Sequence, residues 1–152
     1  MKLTNLGIVI KDSKILLCMK KRGFGAGLLN SAGGKLEACE SMEDCMIREL
    51  KEETNIDVKK EGLDFAGILF FHFPFNPDWS NECHLFRIND FSGVPEETEE
   101  MKPEWFDLDN IPYEKMWKDD PIWLPRIIDG EYIEYEISFD KDGNVIDYKK
   151  LK

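Results

Sequence analysis

Gly33-Gly34-Lys35-Leu36-Glu37-Ala38-Cys39-Glu40-Ser41-Met42-Glu43-Asp44-Cys45-Met46-Ile47-Arg48-Glu49-Leu50-Lys51-Glu52-Glu53-Thr54-Asn55-Ile56 falls into two parts of different character. The first is a glycine turn without periodicity. The second carries the start and stop signals of a helix: Ser41 suits an N-cap, Asp44 stands where a capping-box partner belongs, and Asn55 suits a left-handed stop. At about 100° per residue, Met42, Cys45, Met46 and Leu50 share one broad face predicted to point at the core. Glu49, Glu52 and Glu53 are spaced i, i+3, i+4 and share a side that overlaps that face. Carboxylates crowded at an apolar edge repel one another and lose hydration unless a cation compensates them. Mg²⁺ takes oxygen ligands, typically a few carboxylates plus waters and substrate phosphates. A metal site is the economical reading. A solvated acidic helix with Arg48 and Lys51 as ion-pair partners is the alternative that residue types alone leave open.

The chain has 152 residues, enough for one domain (1–152) with a real core and few for two. A net charge of −11 excludes sequence-independent binding to a nucleic-acid polymer, which depends on Lys and Arg neutralising phosphates. A free nucleotide is compatible with it, since a metal and a few local cations can supply the counter-charge. The first apolar run, Leu6 to Ile10, is short and followed by Lys11, Asp12 and Lys14, unlike a signal peptide, and no segment has the length of a membrane span. Cys18, Cys39, Cys45 and Cys83 form no Cys-x-x-Cys pair and sit among core-like residues. They read as reduced thiols of a cytoplasmic protein.

Leu3 to Ile10 and Lys14 to Met19 read as strands joined by a tight turn at Lys11-Asp12-Ser13. Lys20 to Gly27 is a basic, glycine-rich loop whose cations suit phosphate or carboxylate. Leu28 to Ala32 is a short strand. After the helix, strands are predicted at Leu63 to Phe73, Glu82 to Ile88 and Lys102 to Phe106, with a turn from Asn76 to Asn81 and an acidic loop from Gly93 to Glu100. Asp119-Asp120-Pro121 opens a second helix, shortened or bent by Pro125 and stopped by Gly130. Tyr132 to Phe139 and Val145 to Tyr148 close the chain as a hairpin. Strands mixed with two separated helices fit one α+β or α/β domain. His72 and His84 are not spaced as a metal pair.

Gly34, Glu40, Arg48, Glu49, Leu50, Glu52, Glu53 and Ile56 resemble the Nudix box at its own spacings. Asn55 replaces the last glycine of that pattern, and Ala38-Cys39 its Glu-Gly. The resemblance implies an α+β fold, an α/β/α sandwich with a mixed sheet between helices. It implies water attack on a phosphoanhydride, with Glu49, Glu52, Glu53, Gly33 and Glu100 about Mg²⁺ (Mn²⁺ the alternative). Arg48 would orient the glutamates, and one of those acids, or Glu100, would activate the water.

A closer resemblance, to the animal MutT-homologue branch of that family, rests on Met19 to Gly27, Asn30, Glu99-Glu100-Met101, Trp105-Phe106 and Met116-Trp117-x-Asp119-Asp120. It implies a base pocket of Asn30, Trp117, Asp119 and Asp120, lined by Phe24, Phe71, Met101 and Trp123, with Lys20, Gly33 and Gly34 near the substrate. The implied reaction converts oxidised purine nucleoside triphosphates, 8-oxo-dGTP and 2-oxo-dATP, to the monophosphate and pyrophosphate in a cytoplasmic monomer. Other Nudix pyrophosphohydrolase substrates, and a nucleotide-binding module without turnover, are the alternatives. Chemistry agrees with the pocket: indole stacks on a purine, Asn offers donor and acceptor, and adjacent carboxyls in an apolar pocket push one pKa up. Outside the pattern, Asn5 replaces a threonine near the pocket, and Phe70 to Asn81, with Phe73, Phe75 and Trp79, is only loosely similar.

Overall fold

The computed structural model describes all residues, Met1–Lys152. Its strands are β1 (Lys2–Lys11), β2 (Lys14–Lys20), β3 (Leu29–Asn30), β4 (Asp64–His72), β5 (Asn81–Ile88), β6 (Met101–Asp107), β7 (Ile133–Phe139) and β8 (Val145–Lys150). Its helices are α1 (Met42–Thr54) and α2 (Asp120–Ile128).

The first hairpin forms as the polar turn predicts, with Asp12 and Ser13 both at positive φ (54° and 61°), the geometry a two-residue hairpin turn requires. Beyond Ile10 and Ile15 the two strands part company. β1 runs parallel to β5, while β2 pairs with β6 along its length and with β3 at Cys18 and Met19. The order β3-β2-β1-β5-β4-β7-β8, with β6 also on β2, mixes parallel and antiparallel neighbours. Where a strand is covered on both faces, alternation gives way to a continuous apolar run. Gly7 to Val9 and Ile15 to Cys18 are buried without a break.

Alternate residues then serve opposite layers. Ile8, Leu17, Cys83 and Leu85 join Trp123, Leu124 and Ile127 of α2, whereas Val9, Leu16, Phe86 and Ile88 join Met46 and Leu50 of α1. One helix therefore covers each face, the expected sandwich.

The helix α1 begins and ends where its caps predict. The Ser41 hydroxyl accepts from the Asp44 amide (3.1 Å), and Asn55 stops it at φ 66° with its N–H on the Lys51 carbonyl. The reciprocal half of the capping box does not form, because the Asp44 carboxylate turns to Lys60 at 3.4 Å. In α2 the helix continues through Pro125 to Ile128 at the loss of one backbone bond, and Gly130 at φ 88° lets its own amide and that of Glu131 close the end on Ile127 and Arg126. No helix is long and apolar enough to cross a membrane. Of the four free thiols, Cys18, Cys45 and Cys83 are buried as read, but Cys39 is exposed.

Cys39 also keeps the left-handed backbone (φ 66°) of the glycine it replaces, a conformation that costs a side chain about 1–2 kcal/mol. Cys39→Gly is expected to raise stability by up to about 1 kcal/mol, roughly 2–4 °C in a thermal melt, and Cys39→Val to lower it by a similar amount.

Candidate active site

The glycine turn lies flat between β1 and α1. The Asn5 amide donates to the Gly34 carbonyl (3.0 Å), the Gly34 amide returns a bond to Asn5 Oδ1 (3.1 Å), and the Leu36 amide reaches the Leu3 carbonyl (2.9 Å). A Cβ on Gly33 would stand 2.0 Å from the Asn5 carbonyl oxygen, and one on Gly34 2.3 Å from the Glu49 carboxyl carbon. Close approach is what requires glycine at both positions.

Arg48 binds this turn to the helix. Its Nη2 and Nε fork onto the two Glu40 oxygens at 2.8 and 3.1 Å, and its Nη1 donates to Glu49 at 2.8 Å and to Glu52 at 3.3 Å. Those bonds hold the Glu40 carboxyl down at about 2 and raise the guanidinium further above its ordinary value. Glu53 faces the other way. Its Oε1 accepts from the Gly33 amide at 2.7 Å, and burial, aided by the charges of Glu49 and Glu100, pushes its carboxyl up to about 8 against the pull of Gly33 and Lys20. Glu49 is raised as well, first by burial, with Arg48 opposing.

The three helix glutamates therefore do not share one cluster as their spacing predicts, and no three metal-ligating side chains converge. Like charges at this range separate, and each carboxylate takes the donor nearest it. Glu49 and Glu52 take Arg48, Glu53 takes Gly33, and Glu100, largely exposed, takes Arg22 at 3.5 Å. The donor set still fits a hard divalent ion. All its donors are oxygens, and Glu53 and Glu49 are carboxylates whose charge the surroundings oppose, the condition a cation relieves.

Glu53 opens onto a cavity of about 380 Å³ that collects every residue expected to meet substrate: Lys20, Phe24, Asn30, Gly33, Gly34, Phe71, Met101, Trp117, Asp119, Asp120 and Trp123. Arg48, Glu49, Glu52 and Glu100 stand outside its lining. Of the basic loop's three cations only Lys20 faces it. Lys21 pairs with Glu97 and Arg22 with Glu99 and Glu100, so the carboxylate alternative holds for those two. Asn30 accepts from the Ser31 amide through Oδ1 (2.9 Å), which leaves its NH₂ end without an intramolecular partner.

At the far end Asp119 and Asp120 are both buried, at 4% and 2% exposure. Asp119 does not cap α2; its Oδ2 accepts from Trp123 Nε1 at 2.7 Å. Burial pushes it up to about 6, the indole opposing, and pushes Asp120 well above the carboxylate range, with the Asp119 charge adding to the effect. Asp120 Oδ2 has no hydrogen-bond partner. One proton held on this pair makes it donor and acceptor at once.

Phe73 and Asn81, from the stretch only loosely similar to the family, also line the cavity, as do Phe139 and Thr4, which residue patterns do not single out; Thr4 Oγ1 donates to Asn81 at 2.8 Å. Asn5 was noted only as a replacement. It is 2% exposed and holds the glycine turn, and a polar residue at the head of the apolar run of β1 is the signal that marks it.

A profile of the NUDIX domain matches residues 1–127. The chain is 37% identical over 147 residues to the oxidized purine nucleoside triphosphate hydrolase of Mus musculus, covering 97% of this chain and 92% of that protein. It is 36% identical over 148 residues to the protein of the same name from Danio rerio, covering 97% and 93%. Its fold matches the crystal structure of a mutator MutT protein from Bacillus halodurans with a TM-score of 0.86 at 21% identity, over 99% of this chain and 98% of that one.

Two outcomes follow from the carboxyls. Mg²⁺ at about ten times its dissociation constant should stabilise the protein by about 1.4 kcal/mol, a rise of a few degrees in a melt, and Glu53→Gln should abolish most of that rise. The aspartate pair holds protons in the folded state that the unfolded chain releases near pH 3.8, so its contribution is fully present below that pH and is lost as pH rises through about 6 and beyond. Chemical denaturation of wild type and Asp120→Asn between pH 4 and pH 8 should show the smaller decline in the variant.

Proposed function

This chain belongs to the Nudix family of hydrolases, and on that premise we propose that it is a cytoplasmic, monomeric, single-domain diphosphatase of free oxidised purine nucleoside triphosphates. It takes 8-oxo-dGTP and 2-oxo-dATP to the monophosphate and pyrophosphate, with Mg²⁺ as cofactor. Water adds to a phosphorus of the anhydride linking the α and β phosphates, and the bond to the bridging oxygen breaks. One observation carries the substrate: the buried Asp119–Asp120 pair, with Asp120 Oδ2 unpartnered, lies in the same cavity as Trp117 and Asn30. Support also comes from the named activity of the mouse and zebrafish relatives.

Each residue has a part that its surroundings suit. The Trp117 ring offers a stacking face for the purine, of a kind typically worth ~1–3 kcal/mol per base. The free NH₂ of Asn30 donates to the base edge, and the aspartate pair, holding one proton, both donates and accepts there. Phe24, Phe71, Met101 and Trp123 exclude water from the ring. The phosphates run toward Lys20 and the Gly33-Gly34 turn. Glu49, Glu52 and Glu53, with Gly33, are the residues that hold the divalent ion, which Nudix hydrolases generally use. When bound, that ion neutralises charge on the phosphates and makes a bound water more acidic. Arg48 positions Glu49 and Glu52, and Glu100, whose charge reaches Glu53, orients the attacking water.

The test is kcat/KM for 8-oxo-dGTP, 2-oxo-dATP and dGTP side by side with Mg²⁺. The oxidised nucleotides should lead by tenfold or more, about 1.4 kcal/mol in the transition state. Asp120→Asn should erase most of that lead, whereas Glu53→Gln should depress all three. Equal, efficient turnover of dGTP would assign the site to ordinary nucleotides.

A further inference from the structure

Five aromatic side chains at the base cavity close on themselves. Trp117 meets Phe24 at 5.3 Å between ring centroids, Phe24 meets Trp79 at 4.7 Å, and Trp79 meets Phe73 at 6.0 Å. Phe73 stacks on Phe139 at 5.1 Å with planes 13° apart, and Phe139 returns to Trp117 at 6.3 Å. The members come from the basic loop, the turn before α2, the end of β7 and the β4–β5 connection. Four of them line the base cavity. Trp79 does not; it lines a neighbouring hollow shared with Phe24, Phe73 and Trp117.

Phe24 is the weakly held member. It is 57% exposed, and it sits between Gly23 and Gly25, both at φ 84°, where no side chain flanks it. Its ring therefore has two aromatic neighbours to fix it, Trp117 on the cavity side and Trp79 behind. Trp79 is itself 39% exposed, and its turn, Pro77–Trp79, is closed by the Trp79 and Ser80 amides on Asn76 and Pro77. The Trp79 indole also meets Phe75 at 5.5 Å, so it ties the exposed Phe24 ring to the β4–β5 connection and is placed to set where that wall of the cavity stands.

We infer that Trp79 is a positioning residue for base recognition: it braces Phe24 against Trp117 and so fixes the width of the slot that receives the purine ring. This rests on the purine reading of the site. It is distinct from discrimination between oxidised and ordinary bases, which falls to the groups at the cavity floor. Loss of the brace weakens every purine alike and leaves the phosphate end untouched.

The experiment compares wild type, Trp79→Ala, Trp79→Phe, Phe24→Ala and the Trp79→Ala/Phe24→Ala double variant. Trp79→Ala should raise KM about five- to tenfold for 8-oxo-dGTP and dGTP equally, with kcat and the inhibition constant of pyrophosphate unchanged, and Trp79→Phe should restore most of the loss. In the double-variant cycle the effects should fall short of adding, because both substitutions release the same wall. Binding of 8-oxo-dGMP by calorimetry gives a readout free of turnover. If wild type binds no purine nucleotide, the substrate reading falls. If wild type binds and Trp79→Ala binds equally well, or the two single effects add in full, or Trp79→Ala lowers only the melting temperature or only kcat, the brace is overturned while the substrate reading stands.

Discussion

The guanidinium of Arg48 is the joint on which this site turns. A single planar fork reaches Glu40 in the loop, Glu49 beside it and Glu52 one turn on, with Glu37 at 3.8 Å. Lysine, a point donor, cannot meet that set of directions. Because Arg48 takes Glu49 and Glu52, the helix presents only Glu53 to the cavity, and because Glu40 is tied to the same fork, the glycine turn is fixed against the helix that supplies Glu53. The Gly33 amide then completes the link at 2.7 Å. The position of the acidic group that faces substrate is thus set by ion pairs outside the cavity.

The cavity carries two buried acidic ends of different use. At one end Glu53 stands near Lys20 and the glycine amides, where a carboxyl raised by burial is relieved by a cation. At the other, no cation is near: the Trp123 indole satisfies Asp119, and Asp120 Oδ2 has nothing. A carboxyl in that state relieves its burial by keeping a proton, and a kept proton is a hydrogen-bond donor. The first end suits a metal-bound phosphate chain and the second an uncharged base. On the proposed reading, the polarity of a bound nucleotide follows from which of the two acids has a cationic neighbour.

Much of this was legible from residue types because it is local. Ser41 starts α1 through its own hydroxyl, Asn55 and Gly130 stop helices through their left-handed backbones, and the α1 boundaries followed. The apolar runs of β1 and β2 marked them as strands. What escaped depends on pairing across the sheet. Spacing put Glu49, Glu52 and Glu53 on one side of α1 but did not tell which would be claimed by Arg48. Cys39 read as core because its neighbours did, whereas the turn it inherits from a glycine exposes it. Phe73 and Phe139 stack because β4 and β7 are parallel neighbours, sixty-odd positions apart in sequence, and no periodicity within either strand reports that. The base pocket came from the resemblance to the family, since Trp117, Asp119 and Asp120 carry no local signal beyond a helix start.

A chain of net charge −11 that receives a triphosphate must find its positive charge somewhere, and the structure limits where. The basic loop supplies three cations in sequence, Lys20, Lys21 and Arg22, but Lys21 and Arg22 are paired with Glu97, Glu99 and Glu100 of the acidic loop, which pins the basic loop in place through the Lys21 amide on the Glu100 carbonyl at 2.8 Å. Those two cations hold the cavity wall. Of the basic loop's cations Lys20 alone lines the cavity, joined there by Lys35 of the glycine turn, against a phosphate chain of several negative charges and an acidic helix. Two lysines do not balance that, and at close range in a site shielded from water the deficit is strongly unfavourable. A divalent ion, which Glu53 would help to hold, would be the remaining source of charge. The dependence on metal therefore follows from how the basic loop is spent as much as from the glutamates that would bind it.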